Sequence, residues 1–174
     1  MSEENPHQEW SQAMFDQMVE AGVTLFSYIP DAGNKALIEI ADQHNAARSV
    51  LLTTEEEGIA VLAGADLVGG RGVLCMQSSG TGNVPNFLSF AKGGRFPILM
   101  MISMRGDYGE QNPWQYPMGE AVEPILKAMG VLTFWVYERA DIEKATAAAL
   151  HATGKGGQSA AIILGQKFLG AKGF

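Results

Sequence analysis

The sequence of 174 residues has one cysteine, Cys75, and only three histidines. One cysteine cannot form a disulfide within the chain, which favours a reducing compartment, and we expect a cytoplasmic protein. The three histidines are scattered, and no cluster has metal-ligand spacing, so we expect no metal site in this chain. No uncharged apolar run reaches the roughly 18 residues of a membrane-spanning helix. The N-terminus lacks the basic and apolar segments of a signal peptide.

Basic residues are also few: the sequence has 12 Lys and Arg against 19 Asp and Glu, which gives a formal net charge of −7. The Lys and Arg residues do not form a cluster in the sequence. Nucleic acid and anionic membrane surfaces attract basic patches, so we expect neither as a partner.

Short apolar runs alternate with helical patterns along the whole chain. Strands are predicted at Val23–Ile29, Ser49–Thr53, Gly72–Gln77, Pro97–Ser103, Val131–Tyr137 and Ala160–Leu164. Helices are predicted from Pro6 to near Gly22 and over Lys35–His44, Glu55–Val68, Val84–Lys92, Glu120–Met129 and Ile142–Thr153. Continuously apolar strands indicate burial on both faces. We therefore predict one α/β domain over residues 1–174, a three-layer fold whose six-stranded, mainly parallel sheet has helices on both faces.

Ligands of such sheets bind at the carboxyl ends of the strands. Three consecutive glutamates, Glu55–Glu57, follow one predicted strand there. Acidic residues favour a helix N-terminus for electrostatic reasons alone. Small and apolar residues follow them, however, and such surroundings remove water from a carboxyl and raise its pKa. The triplet is thus either a helix start or an acid/base group.

A glycine-rich turn, Ser78–Asn83, follows another predicted strand. Its glycines either serve the turn or expose N–H groups that bind an anion. The turn is not a phosphate-binding P-loop, because no Gly-Lys-Ser/Thr follows, and Pro85 replaces the third glycine of a dinucleotide fingerprint. The segment from Met104 to Gly119 is long for a connection in a compact domain, which is typical of functional loops.

Several motifs together resemble the pyrimidine-binding domain of thiamine-diphosphate enzymes. They are Pro30-Asp31, Thr54-Glu55-Glu56-Glu57-Gly58, Ala63-Gly64-Ala65, Met76 to Asn83, Arg105-Gly106-Asp107, Gly109-Glu110 and Gln115 to Gly119. The pattern is most similar to alpha subunits of sulfopyruvate decarboxylase, and it is also similar to phosphonopyruvate and benzoylformate decarboxylases. It extends over about residues 8–170.

The resemblance implies roles for particular residues. Aligned on the small residues that follow it, Glu56 matches the family's catalytic glutamate, which hydrogen-bonds the cofactor's aminopyrimidine ring and activates it. Cofactor contacts are expected from Glu56, Gly80, Thr81, Gly82 and Asn83. Substrate contacts are expected from Asp31, Ala32, Asn34, Ser79, Arg105 and Gln115. Arg105 would be the cation for an anionic substrate, unless it forms a structural salt bridge with Asp107 or Glu110.

The resemblance also implies a partner. The family binds the diphosphate and Mg²⁺ through a Gly-Asp-Gly segment in a separate domain, and no such segment occurs here. We therefore expect a beta subunit that carries this segment, in a hetero-oligomer with at least two alpha chains. This chain alone would be inactive.

The substrate stays open between sulfopyruvate, phosphonopyruvate and an aromatic 2-oxo acid, since Ala32 stands where the first two enzymes usually have serine. The loop aromatics Tyr108, Trp114 and Tyr116 could shape a larger pocket or contact the partner. Decarboxylation and carboligation are not distinguished. Two other classes also remain: a Rossmann-like module that binds a nucleotide or flavin at Gly80–Asn83, and a regulatory subunit without activity.

Overall fold

The computed structural model describes residues 8–171. The strands are β1 Val23–Tyr28, β2 Arg48–Leu51, β3 Arg71–Gln77, β4 Leu99–Ser103, β5 Leu132–Val136 and β6 Ala160–Leu164. The helices are α1 Gln8–Glu20, α2 Lys35–Gln43, α3 Glu55–Leu67, α4 Pro85–Gly94, α5 Tyr116–Ala128, α6 Ile142–Gly154 and α7 Gln166–Leu169. Three 3₁₀ helices lie at Ser78–Gly82, Pro113–Gln115 and Arg139–Asp141. The predicted helix start at Pro6 lies outside the described residues.

The six strands form one sheet in the order β2-β1-β3-β4-β6-β5. All pairs are parallel, for example β3 beside β4, with Cys75 opposite Met101. The central strands β4 and β6 are buried at every residue, as their unbroken apolar sequences predict. The predicted sheet is therefore confirmed.

Helices cover both faces of the sheet. Residues of α1, α2 and α6, such as Met14, Leu37 and Ala149, form one hydrophobic cluster with the strands. Residues of α3, α4 and α5, such as Ile59 and Leu88, form a second one. Successive strand residues alternate between the two clusters, since side chains of a strand point to opposite faces. The three-layer arrangement is the predicted one.

The order of the strands creates two crevices at the carboxyl edge. From β1 the chain passes to β2 through α2 on one face, and it returns to β3 through α3 on the other face. The segments that follow β1 and β3 thus lead to helices on opposite faces of the sheet, and so do the segments that follow β4 and β6. Ligands of open parallel sheets bind in such crevices. The segments after these four strands are therefore where a site should be sought.

The structure differs from the sequence prediction in several short segments. Helix α5 begins at Tyr116, four residues before the predicted start at Glu120, because Pro117 occupies a first-turn position where its missing N–H costs nothing. The loop between β4 and α5 is therefore shorter than the predicted segment from Met104 to Gly119. The three 3₁₀ helices and the short helix α7 were not predicted. Among residues 8–171, no helix has the length and apolar character needed to cross a membrane.

Candidate functional site

The turn after β1 is organised by the Asp31 carboxylate. Asp31 Oδ2 accepts hydrogen bonds from the backbone N–H groups of Gly33 at 3.0 Å and Asn34 at 3.2 Å, and from the Ser103 hydroxyl at the end of β4. Gly33 must lack a Cβ, which would lie 2.5 Å from Ser103 Cβ. Asp31 therefore joins the ends of two strands across the crevice.

Asn34 connects the same turn to β3. Its side-chain amide donates to Asp31 Oδ2 at 3.2 Å and to the carbonyl of Met76 at 3.1 Å. The residue is buried, and its Oδ1 atom has no hydrogen-bond partner within residues 8–171. A buried polar atom without a partner is costly. Asn34 is thus a buried link between β1 and β3.

Cys75, inside β3, is fully buried, and burial raises the pKa of its thiol, with a further contribution from the charge of Asp31. The thiolate is the reactive form of cysteine. Burial therefore keeps Cys75 in its unreactive thiol form within the core.

The glycine-rich turn is a compact 3₁₀ helix rather than an open loop. Ser78 is buried, and its hydroxyl accepts from the backbone N–H of Arg105 at 3.0 Å, which links the ends of β3 and β4. Thr81 is also buried, and its hydroxyl has no partner within the described residues. Gly82 and Asn83 are exposed, and Ser79 is exposed and donates to Gln77 Oε1 at 3.0 Å.

The Glu55 side chain crosses this turn. Asn83 Nδ2 donates to Glu55 Oε2 at 2.7 Å. A Cβ at Gly80 would lie 2.5 Å from Glu55 Cγ and 2.6 Å from Glu55 Oε1. Gly80 therefore makes room for this carboxylate. A carboxylate placed here repels anions, which counts against phosphate binding at the turn and against a nucleotide-binding module.

Glu56 and Glu57 have different surroundings. Glu57 is exposed and accepts from the backbone N–H groups of Thr53 at 2.7 Å and Thr54 at 3.4 Å. The N–H of Thr53 holds the pKa of the Glu57 carboxyl below its usual value. Glu56 is half-buried and makes no hydrogen bond or ion pair with another residue of the described range. The catalytic role of Glu56 stays a prediction.

Arg105 is engaged by Glu110, one of the two structural partners considered for it. The guanidinium Nε and one terminal nitrogen each lie 2.6 Å from a Glu110 oxygen, and the Glu110 side chain has no exposed surface. The hydrogen bond from Arg105 is the main cause that holds the pKa of the Glu110 carboxyl far below its usual range. The charge of Arg105 is thus largely neutralised within the chain.

Glu110 also organises the loop around it. It accepts from the backbone N–H groups of Gly106, Gln111 and Asn112, and from the Gln166 amide at 2.9 Å. Gln166, in α7, in turn accepts from the N–H of Asp107 at 2.8 Å. The loop after β4 is therefore fixed to the segment after β6, across the second crevice.

The remaining predicted positions lie at this edge. Ala32 is exposed, and Gln115 is half-buried at the start of α5. A Cβ at Gly106 would meet the Gln115 backbone, so the loop packs closely on α5. The side chains of Tyr108 and Trp114 are 61% and 88% exposed. Rings this exposed are not in the core, and they remain available to a ligand or a second chain.

Two pockets adjoin these residues. One of about 480 Å³ lies along α2, between Tyr28, Pro30, Asp31 and Ile38. Another of about 160 Å³ is lined by Asp31, Ser103 and Arg105, together with Leu169 after β6. Within residues 8–171, no group of three or more His, Cys, Asp or Glu side chains could hold a metal ion.

We expect the stabilising effect of Glu110 to depend on pH. A carboxyl whose pKa is lower in the folded chain stabilises the fold above its unfolded value of about 4.3, and the effect is lost as pH falls towards the folded value. The free energies of unfolding of the unmodified chain and of Glu110→Gln should therefore converge as pH falls from about 6 to about 3. Urea denaturation across this range measures the difference, and a difference independent of pH would contradict the expectation.

Sequence reasoning did not identify two residues of this edge, Ser103 and Gln166, which help to hold the strand ends together. It considered Glu110 only as a partner of Arg105, and it did not indicate that Glu55 rather than Glu56 contacts the glycine-rich turn. The direction of each carboxyl in the triplet could have been obtained from helical spacing, since Glu55 stands four residues before the apolar Ile59. The contact between Glu110 and Gln166 joins residues 56 positions apart in the sequence and has no local signal.

The chain is similar in sequence to alpha subunits of sulfopyruvate decarboxylase. It is 34% identical to that of Methanococcus maripaludis over 125 residues, which are 71% of this chain and 75% of the relative. It is 33% identical to that of Methanocaldococcus jannaschii over 125 residues, which are 71% of this chain and 74% of the relative. A phosphonopyruvate decarboxylase of Streptomyces viridochromogenes is 36% identical over 107 residues, 60% of this chain and 27% of that protein. No family model matches the sequence.

Among solved structures, the chain resembles a 2-oxoglutarate:ferredoxin oxidoreductase from Magnetococcus marinus. The TM-score is 0.68 with 18% sequence identity, over 89% of this chain and 28% of that longer chain. At this identity the likeness concerns the fold alone.

Proposed function

Because the chain belongs to the family of sulfopyruvate decarboxylase alpha subunits, we propose that it is the alpha subunit of a thiamine-diphosphate-dependent 2-oxo acid decarboxylase. The observation that carries the proposal is the identity of 34% over three quarters of a relative with that name. Sulfopyruvate is the first candidate substrate, and it would yield sulfoacetaldehyde and CO₂.

The crevice between β1 and β3 fits the aminopyrimidine ring of the cofactor. It offers a carboxyl of the Glu55–Glu57 triplet and the turn at Gly80–Asn83. When bound, thiamine diphosphate supplies a thiazolium that accepts the electron pair left by departing CO₂. The chain's own task is to hold the ring and to move a proton at a carboxyl oxygen.

The substrate's charged group needs a counter-charge that this chain hardly provides. Arg105 is paired with Glu110, and Asp31 lies beside the same pocket. We propose that a cation of the partner subunit completes the binding of a sulfonate. Phosphonopyruvate, or an aromatic 2-oxo acid beside Tyr108 and Trp114, is the alternative substrate, and carboligation is the alternative reaction.

We propose that the partner is a beta subunit that binds the diphosphate and Mg²⁺, in an assembly with at least two alpha chains. The relatives are named subunit alpha. Helices α3 and α4 contact each other, and each exposes an apolar side chain, Leu67 and Phe90 respectively. Because α3 begins at the Glu55–Glu57 triplet, a chain seated on this helix would also reach the cofactor crevice.

The proposed function predicts CO₂ release by the assembled enzyme. The chain mixed with its beta subunit, Mg²⁺ and thiamine diphosphate should release CO₂ from sulfopyruvate, because the cofactor would bind between the two subunits. A coupled assay on sulfopyruvate, phosphonopyruvate and benzoylformate measures the preference, and analysis of the products separates aldehyde from ligated product.

Either subunit alone is the control and should be inactive. If the cofactor binds but neither the mixture nor either subunit alone releases CO₂, the decarboxylase proposal is rejected. Tight binding of a nucleotide or flavin by the lone chain would favour the binding-module alternative.

A further inference from the structure

The segment after β6, residues 165–171, is named the β6 strap. It contains α7, and its Phe168 ring packs edge to face on Trp10 of α1, with ring centroids 5.4 Å apart. Phe168 and Leu169 are both partly buried against the hydrophobic cluster that α1, α2 and α6 form with the sheet. The strap is therefore packed on the core at this face of the sheet.

A second anchor of the β6 strap is the buried side chain of Gln166. Its amide donates to Glu110 at 2.9 Å and accepts from the N–H of Asp107 at 2.8 Å, and both partners belong to the loop after β4. The strap then turns at Gly170, whose φ of 83° and ψ of 148° are accessible essentially to glycine alone. Leu169 lies between these two fixed points, so its place in the structure is well defined.

The β6 strap lines the pocket of about 160 Å³ that also borders Asp31 and Arg105. It contributes Leu169 and the two small residues that follow it. Among the described residues that line this pocket, Leu169 and Met104 have the large apolar side chains, and Met104 is only 2% exposed. Leu169 is half-buried. It is therefore the large apolar residue through which this pocket could be made wider or narrower.

The remaining walls of the pocket leave little room for adjustment. Asp31 Oδ2 is fixed by the N–H groups of Gly33 and Asn34 and by the Ser103 hydroxyl. A Cβ at Gly33 would lie 2.5 Å from Ser103 Cβ, so the turn after β1 and the end of β4 are already in close contact. Pockets for larger organic ligands have roughly 300–1,000 Å³. A rigid pocket of about 160 Å³ therefore suits only a short side chain.

The pocket distinguishes substrates by size rather than by charge. Arg105 is neutralised by Glu110, and the Asp31 carboxylate would repel an anionic group that approached it. The charged group of the substrate is therefore left to the cation of the partner subunit that is proposed above, and Leu169 contributes only bulk.

We infer that the β6 strap restricts the enzyme to 2-oxo acids with a short side chain, and that Leu169 sets this limit. The inference rests on the proposed function and deepens it, because it chooses among the candidate substrates. Sulfopyruvate and phosphonopyruvate have a single CH₂ group between the keto carbon and the acidic group, whereas benzoylformate has an aromatic ring on the keto carbon. The substrate is placed here because three of its predicted contacts, Asp31, Ala32 and Arg105, line this pocket.

The test compares kcat/KM for benzoylformate and for sulfopyruvate in the assembled enzyme, with its beta subunit, Mg²⁺ and thiamine diphosphate. The unmodified enzyme should prefer sulfopyruvate, because the aromatic ring collides with Leu169. Leu169→Ala should change the ratio of the two values by about 10–200-fold in favour of benzoylformate, the usual effect of small changes in the size of an apolar pocket. If Leu169→Ala does not fold, the smaller change Leu169→Val should shift the ratio in the same direction.

Leu132→Ala is the matched control, because Leu132 is a 44% exposed leucine at the start of β5, at the opposite edge of the sheet. Its ratio should stay within about twofold of that of the unmodified enzyme. A loss of folded enzyme lowers both rates together, so a purely structural role of Leu169 would leave the ratio unchanged. The same ratio in the Leu169 variants and in Leu132→Ala, or a preference of the unmodified enzyme for benzoylformate, would overturn the inference.

Gln166→Ala tests the anchor of the strap. It should shift the ratio in the same direction as Leu169→Ala, because it loosens the wall without altering the leucine. The double variant should shift the ratio by less than the product of the two single shifts, since both changes act on one wall. A shift equal to the product would contradict the role of the strap.

The inference and the proposed function fail separately. If the unmodified complex binds the cofactor but decarboxylates none of these acids, only the reaction is rejected. Calorimetry then measures the binding of benzoylformate and sulfopyruvate to the complex, and Leu169→Ala should tighten the binding of benzoylformate alone. Decarboxylation with a preference that does not depend on Leu169 rejects only the inference.

Discussion

Replacement of Glu110 by glutamine should destabilise the chain by about 3–5 kcal/mol, the usual cost of removing one partner of a buried ion pair. The Glu110 side chain is entirely buried, and the Arg105 side chain is only 12% exposed, so the guanidinium left behind cannot recover its solvation in water. Three backbone N–H groups also lose a charged acceptor. Urea denaturation at neutral pH measures the change, and the melting temperature should fall by roughly 10 °C.

Glu9→Gln is the matched control for this substitution. Glu9 also pairs with an arginine, Arg139 at 2.7 Å, but its side chain is 86% exposed. Exposed pairs contribute about 0–1 kcal/mol, so the control should stay near the unmodified chain. A loss for Glu110→Gln no larger than that for Glu9→Gln would mean that the loop does not depend on this carboxylate.

Substitution of Gly119 by alanine should also be costly, although alanine favours helices. Gly119 lies in the first turn of α5, where a Cβ would come within 2.6 Å of the Arg105 carbonyl and would collide with that of Gly106. Both neighbours are backbone atoms, so the loop after β4 has to move. We expect a destabilisation of about 1–3 kcal/mol, as for other overpacked sites. The free energy of unfolding from urea denaturation measures it.

Gly64→Ala is the appropriate comparison, since Gly64 is also helical and a Cβ there meets nothing within 4 Å. The lone chain should gain up to about 1 kcal/mol from the better helix propensity of alanine. The two variants should thus change stability in opposite directions. A gain in both would show that α5 and the loop are not in close contact.

The fold was predictable because its signals are local. Apolar runs such as Leu99–Ser103 identify buried strands wherever they occur, and glycines and prolines separate them from helices. The missed start of α5 has a local explanation as well. Pro117, three residues before Glu120, is typical of a loop but is also common in the first turn of a helix, which is its place in α5. The cytoplasmic location expected from the lone cysteine stays a prediction.

The site was predictable only in part. Its place at the carboxyl edge follows from the alternation of strands and helices, and the family follows from the motifs. The partners of individual side chains do not follow, because they depend on how distant segments meet. Asp31 contacts Ser103 and Glu55 contacts Asn83, over 72 and 28 residues of sequence. Neither pair forms a pattern that spacing within one helix or strand could indicate.

The hydrogen bonds that fix the loop after β4 affect how another molecule could bind to this loop. Glu110 and Gln166 fix the backbone on one side of Trp114, and the N–H of Trp114 itself donates to Asn112 Oδ1 at 3.2 Å. Ordering a free segment costs roughly 1–2 kcal/mol per residue in conformational entropy. This loop is already ordered when the chain folds, so binding does not need to order it. A molecule that packs on the Trp114 ring therefore meets a preorganised surface, and complex formation there should lose little conformational entropy.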